Sequence, residues 1–367
     1  MPIRVLVVDD SVVVRRLVSD VLAADPDIAV VGTAANGRIA LAKLELLEVD
    51  VITLDLEMPE LDGIGTLKHL RAAGSKLPVI VFSTLTEQGA AATLDALAAG
   101  ATDYVTKPSN MGSVVESRES VRSQLVPRIK SLTRVPVGGS ATTPRATPVV
   151  HARPRTEPPK KPRVVVIGCS TGGPEALVKV LAGLPASFPL PILVVQHMPP
   201  VFTRLFAERL DRASALRVTE TAGREPVVPG TVLVAPGDSH LEVAPDPRRS
   251  GGVLTLLQKD PPENFCRPAV DVLFRSATTT YNGALLAVVL TGMGSDGAAG
   301  AAVVREHGGQ VVVQDAATSV VWGMPGVIAE RGLADAVLPL RDVAASILQR
   351  VGGAQSRPSV AARRGSG

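Results

Sequence analysis

The chain has 367 residues, 46% of them apolar and only 2% aromatic, with a net charge of +3. That length exceeds one ordinary domain and points to two, each with apolar content enough for its own core. No uncharged apolar run reaches the ~18 residues of a membrane helix, and the scarcity of aromatics argues against base-stacking nucleic-acid surfaces. The basic surplus sits in segments that read as unstructured, so neither nucleic acid nor direct membrane insertion is expected. Cys169 and Cys266 form no disulfide framework or zinc pattern. MPIRVLVVDD has neither the length nor the cleavage pattern of a signal peptide. A cytoplasmic location is therefore expected.

From Ile3 to about Leu125, short apolar runs (IRVLVV, IAVVGTA, VITLDL, PVIVFS, TDYVT) alternate with segments of helical spacing. In the first such segment, Val13, Leu17 and Val21, and Val14, Val18 and Leu22, recur at helical intervals. Strands alternating with helices predict βαβ crossovers and a parallel sheet covered on both faces. Asp9 and Asp10 follow the first run and Asp55 the third; Ser83 ends the fourth and Lys107 follows the fifth. The carboxyl ends of parallel strands share one edge, so these groups converge. Three carboxylates that close repel one another unless a hard divalent cation, ordinarily Mg²⁺, lies between them. Taken singly, each aspartate reads as a helix cap.

Together these positions resemble a response-regulator receiver domain over residues 1–125, which implies a flavodoxin-like sheet of five parallel strands. The resemblance implies Mg²⁺ held by Asp9, Asp10 and Asp55, with Glu57 contributing through its backbone carbonyl. It implies that Asp55 accepts phosphate from a histidine kinase, Ser83 senses the phosphoryl group, and Lys107 is its ion-pair partner. Thr84 adjoins Ser83 and is the alternative switch hydroxyl.

Residues 126–162 include TRVPVGGSATTPRATPVVHARPRTEPPKKP, rich in Pro and base, and read as an extended linker. At Arg163 the alternation resumes with VVVIG, PILVVQ, TVLVAP, GVLTLLQ, ALLAVVL and QVVVQ, predicting a second α/β domain over 163–352. Residues 353–367 read as a frayed tail. In VVVIGCSTGGP the apolar run breaks at Ser170. The stretch is either a tight strand-to-helix turn or a G-x-S-x-G elbow that exposes the hydroxyl. Cys169 points the other way along the pleat and reads as packing.

A serine nucleophile needs a base. Of five histidines, His69 lies on a helix of the first domain, His151 in the linker, His240 between two short strands and His307 near a helix end. His197 ends the run PILVVQ and would share a sheet edge with Ser170. Asp296 follows ALLAVVLTGMG and supplies an orienting carboxylate; the glycines of GMGSDG leave N–H groups free for an oxyanion near Met293. The order Ser, His, Asp is not that of ordinary α/β-hydrolases. Neither G-x-G-x-x-G nor a P-loop follows Arg163, and no helix-turn-helix follows the linker.

IGCSTGGP, VVQHMPP, CRPAVDVLF, LTGMGSDGA and WGMPG together resemble the catalytic domain of CheB-type chemotaxis protein-glutamate methylesterases. The resemblance implies a doubly wound α/β domain with a mostly parallel sheet. It implies hydrolysis of glutamate methyl esters on chemoreceptors, with methanol released, and deamidation of receptor glutamines. Ser170 is then the nucleophile, His197 the general base and acid, and Asp296 the orienter. Met293 borders the oxyanion, and Thr171 opens the helix behind the nucleophile and helps position His197. No cofactor is implied in this domain. The implied partners are methylated chemoreceptors and a histidine kinase, with the unphosphorylated receiver packed over the cleft.

Overall fold

A computed structural model describes residues 1–107, 114–133 and 158–352. The first domain alternates β1 (Ile3–Val8), α1 (Val12–Ala23), β2 (Ile28–Ala34), α2 (Gly37–Leu44) and β3 (Val51–Asp55). It continues with α3 (Gly63–Ala72), β4 (Val79–Ser83), α4 (Glu87–Ala98), β5 (Asp103–Thr106) and α5 (Val114–Thr133). All five strands are parallel, in the order β2-β1-β3-β4-β5. Polar residues set the helix starts: Ser11, Asn36, Asp62 and Thr86 each accept the N–H three residues on.

The boundary expected at residue 126 falls inside α5, which runs through Thr133. Val121, Leu125 and Ile129, spaced by four, are fully buried in the cluster that includes β1 and β4. That stripe outweighs both the charged outer face and Pro127 inside the helix. Residues 134–157 and the tail 353–367 lie outside the described residues. At the far end of the expected linker, Lys160 already packs on the second domain: its N–H donates to Gly308 O at 2.9 Å and its Nζ to Asn282 O at 2.7 Å.

The second domain comprises β6 (Val164–Cys169), α6 (Gly173–Ala182), β7 (Ile192–Gln196), α7 (Pro200–Ala213), β8 (Arg217–Glu220) and β9 (Thr231–Val234). Then follow β10 (His240–Pro245), β11 (Val253–Gln258), α8 (Val270–Thr280), β12 (Leu285–Val289) and α9 (Ala298–Glu306). The last elements are β13 (Gln310–Gln314), α10 (Met324–Glu330), β14 (Ala336–Leu338) and α11 (Leu340–Gly352). Seven parallel strands form one sheet in the order β14-β13-β12-β6-β7-β9-β8, while β10 and β11 make a separate antiparallel pair. Every residue of β6, β7, β12 and β13 is buried. Helices cover both faces of these central strands, which is why they read as unbroken apolar runs.

The two domains share an apolar cluster that contains Leu94, Leu97 and Tyr104 together with Phe202 and Phe206. The Tyr104 ring stacks on Phe202, with centroids 4.8 Å apart and planes 6° from parallel. Around this contact Arg204 pairs with Glu87 at 2.7 Å and Arg209 with Asp95 at 3.3 Å, so α4 lies against α7.

Candidate active site

The strand ends of the first domain bring the predicted acids together. Asp9 and Asp55 are buried and Asp10 is exposed, yet one oxygen from each lies within 4.8 Å of the others. Lys107 Nζ sits 2.8 Å from Asp55 Oδ2 and 3.3 Å from Asp9 Oδ2. Burial pushes both carboxyls above the usual range, with Asp55 adding repulsion at Asp9 and Lys107 opposing both shifts. For Lys107 itself burial favours the neutral amine, but Asp55 and then Asp9 outweigh it and raise the group. Converging carboxylate oxygens are the donor set a hard divalent cation takes, so these residues fit Mg²⁺. The Glu57 side chain is exposed; its backbone N–H donates to Asp55.

Ser83 is buried beside this pocket, which Thr84 also lines. The Ser83 hydroxyl is 2.5 Å from Thr93 Oγ1, and both reach the Gly89 carbonyl, at 3.0 and 2.7 Å. In this state Ser83 is tied to α4 rather than to Asp55.

In the second domain β6 is flanked by β12 and β7, so the ends of three adjacent strands meet. Cys169 pairs with Gln196 in the β6–β7 register, and the next residues are Ser170 and His197. The chain is locked there by His197 N–H donating to Cys169 O at 3.2 Å and Ser170 N–H to Thr291 O at 3.0 Å. Gly172, at φ +74°, turns the chain into α6. Gly292 lies so close that an added Cβ would meet Ser170 Cβ at 2.9 Å. Among the described residues no hydrogen bond takes the Met293 N–H, in the loop beside Ser170.

His197 Nε2–H donates to Asp296 Oδ2 at 2.8 Å, and its Nδ1 faces Cys266 Sγ at 3.5 Å. None of the described hydrogen bonds joins Ser170 Oγ to the imidazole; with Nε2 committed to Asp296, Nδ1 is the nitrogen left for proton transfer. Asp296 is buried and well supplied with donors. Oδ2 also accepts Val270 N–H, while Oδ1 accepts Asp271 N–H, Gly297 N–H and Asn264 Nδ2. Burial alone would raise this carboxyl, but the bond from His197 and those backbone donors hold it below its usual range. Burial would likewise lower His197; the bonds to Asp296 and then Cys266 instead push it up to about 9. Ligand atoms of His197, Cys266 and Asp296 lie within 4.8 Å of one another, but both Asp296 oxygens are already engaged.

The other histidines are accounted for structurally. His240 is buried between Pro261 O and Ala269 N–H, His307 caps α9 against Val303 O, and His69 bonds Gly65 O; His151 lies outside the described residues. Thr171, expected to help position His197, instead donates its hydroxyl to Asp103 Oδ2 of the first domain at 2.7 Å. The helix begins at Gly173, so Thr171 stands in the turn ahead of it, facing the other domain. Asp103 also accepts Arg128 Nε at 3.1 Å. Asn264 lies outside every motif singled out in the sequence, and Cys266 opens CRPAVDVLF without that stretch announcing its contact with His197.

A cleft of about 380 Å³ opens beside His197. One wall carries Met198, Pro199, Cys266 and Arg267, and the other carries Tyr104, Gln124 and Arg128 of the first domain.

Fold and geometry first define a class: a receiver domain joined to an α/β domain with Ser, His and Asp at neighbouring strand ends, as in serine hydrolases. Residues 5–118 match the response regulator receiver domain and residues 165–347 the CheB methylesterase. A protein-glutamate methylesterase/protein-glutamine glutaminase of Nocardioides sp. is 58% identical over 365 residues, covering 98% of this chain and 97% of its own. One from Trichodesmium erythraeum is 48% identical over 95% of this chain and 99% of its own. The solved Thermotoga maritima CheB methylesterase catalytic domain is 45% identical, covers 51% of this chain and 97% of its own, and gives a TM-score of 0.49. The chain belongs to the CheB family of protein-glutamate methylesterases/protein-glutamine glutaminases.

Proposed function

We propose that this enzyme hydrolyses glutamate γ-methyl esters on chemoreceptors through Ser170, His197 and Asp296, under control of phosphorylation at Asp55. The observation that carries the reading is the 2.8 Å His197–Asp296 pair at the strand end next to Ser170. Ser170 Oγ attacks the ester carbonyl as His197 Nδ1 takes its proton. The Met293 N–H and the positive end of α6 face the developing oxyanion. The protonated imidazole, held by Asp296, returns the proton to the leaving methoxide, and methanol departs. Water, deprotonated by the same imidazole, then releases the glutamate carboxylate; with a glutamine substrate the first leaving group is ammonia.

In the receiver, Asp55 Oδ attacks the phosphorus of a phosphohistidine and the imidazole leaves. Asp9, Asp10 and Asp55, with the Glu57 carbonyl, would hold Mg²⁺, which would supply neutralising charge for the transferring group. Ser83 and Lys107 then turn toward the phosphoryl oxygens. Breaking the Ser83–Thr93 contact frees α4, and with it the seam against α7. In the unphosphorylated state the receiver wall of the cleft excludes a bulky helical receptor. No helix among the described residues is long and apolar enough to cross a membrane, and the proposed site of action is the cytoplasmic face of the receptor array. A serine-directed fluorophosphonate should label the wild-type chain and spare Ser170→Ala. Equal labelling of the two would overturn the nucleophile assignment.

A further inference from the structure

Residues 263–266 close a tight antiparallel turn, in which Glu263 and Cys266 exchange both backbone hydrogen bonds, at 3.1 and 2.9 Å. The central residues Asn264 and Phe265 are both left-handed, at φ +52° and +62°. Asn tolerates that conformation, but a bulky side chain there is strained, and Gly is the residue such turns favour. The strain is held in place from several sides. Asn264 Nδ2 donates to Asp271 and to Asp296, Glu263 takes both arms of Arg275, and Arg267 is pinned to Asp238 and to the Lys259 and Asp260 carbonyls. What this anchored turn presents is a fully exposed phenyl ring, on the rim of the cleft and one residue from the cysteine that touches His197.

Among the described residues the ring packs on nothing, so its exposure is uncompensated. Strained, over-determined residues cluster where a ligand completes the environment. We infer that Phe265 is a substrate-recognition residue whose ring packs against an apolar side chain on the protein helix that carries the scissile ester. The inference rests on the methylesterase reading above and names how that site selects a helical protein over a free ester. A glutamate side chain has only two methylenes. For its ester to reach Ser170, the helix bearing it must therefore descend onto the cleft rim, where Phe265 stands. An aromatic ring offers much contact area for little lost side-chain freedom. Because Asn264 ties the turn to Asp296, the recognition ring and the orienting carboxylate keep a fixed relation.

The test compares two substrates on the full chain with a small phosphodonor: methylated receptor membranes, and a soluble N-acetyl glutamate γ-methyl ester. Phe265→Gly removes the ring and relieves the backbone, so its melting temperature should equal or exceed that of wild type. Its KM for receptor membranes should rise about tenfold or more, as for loss of an interface anchor, with no comparable change on the soluble ester. Phe265→Tyr should restore most of the receptor KM. Unchanged receptor kinetics in Phe265→Gly would overturn the inference, as would equal losses on both substrates with a lowered melting temperature. If wild type hydrolyses neither ester, the methylesterase reading itself fails, and the inference falls with it.

Discussion

At the residue scale, His197 shows how position becomes chemistry. Its ring lies between a buried carboxylate and a thiol, with 13% of the side chain exposed. Burial favours the neutral ring, but Asp296 and then Cys266 reverse that and bring the group from 6.5 up to about 9. A general base works unprotonated. The acid limb of kcat/KM should therefore lie well above 6.5, and Cys266→Ala should move it to lower pH. A limb at 6.5 in both proteins would contradict this. For stability the sign is opposite: the folded value exceeds the unfolded one, so the stabilisation is complete below 6.5 and is lost as pH rises through about 9. Ser170→Ala and His197→Ala should each lower ester hydrolysis by roughly 10⁴-fold or more, and Asp296→Asn should leave a larger residue. Methanol release under saturating substrate measures both. The placement of these three residues at adjoining strand ends was legible because each follows an apolar run, and strand ends converge. The contacts of Cys266 and Asn264 and the Thr171–Asp103 bond were not, since they arise between loops far apart in the chain.

At the element scale, the β6–α6 turn depends on one backbone conformation. Gly172 is left-handed, and an added Cβ would meet Val320 Cγ2 at 2.5 Å and Cβ at 2.6 Å. Gly172→Ala should therefore cost about 1–3 kcal/mol of stability and displace the Ser170 hydroxyl. A lowered denaturant midpoint together with slowed fluorophosphonate labelling would show both effects. The parallel order of both sheets could be anticipated from alternating strand and helix patterns. GVLTLLQ resembles those strands in composition yet pairs with β10 outside the main sheet, because an apolar run carries no record of its partner. The end of α5 was hidden for a different reason. Its outer face is charged and holds a proline, so the sequence turns linker-like before the buried stripe through Ile129 has ended.

At the scale of the whole molecule, one contiguous apolar seam joins receiver and esterase, flanked by exposed ion pairs worth little each. The Tyr104–Phe202 stack and the buried Thr171–Asp103 bond also cross this seam. Tyr104→Ala should raise the rate on receptor membranes without a phosphodonor, and the soluble ester provides the comparison. A fragment beginning at Pro158 keeps the Lys160 contacts with the esterase and should be insensitive to phosphodonor. The seam could not be read from composition, since each side also reads as the covering of its own sheet.

Phosphate on Asp55 is proposed to release ester hydrolysis that depends on Ser170. The most direct test is methanol released from methylated receptor membranes by the full chain, with and without a small phosphodonor. A bias of about 1.4 kcal/mol toward the open state changes the closed-to-open ratio tenfold, so wild type should accelerate by about that factor or more. Asp55→Asn should stay at the basal rate, and Ser170→Ala should release none. Methanol release that ignores the phosphodonor in wild type would rule out control through Asp55, and release that persists in Ser170→Ala would rule out Ser170 as the nucleophile.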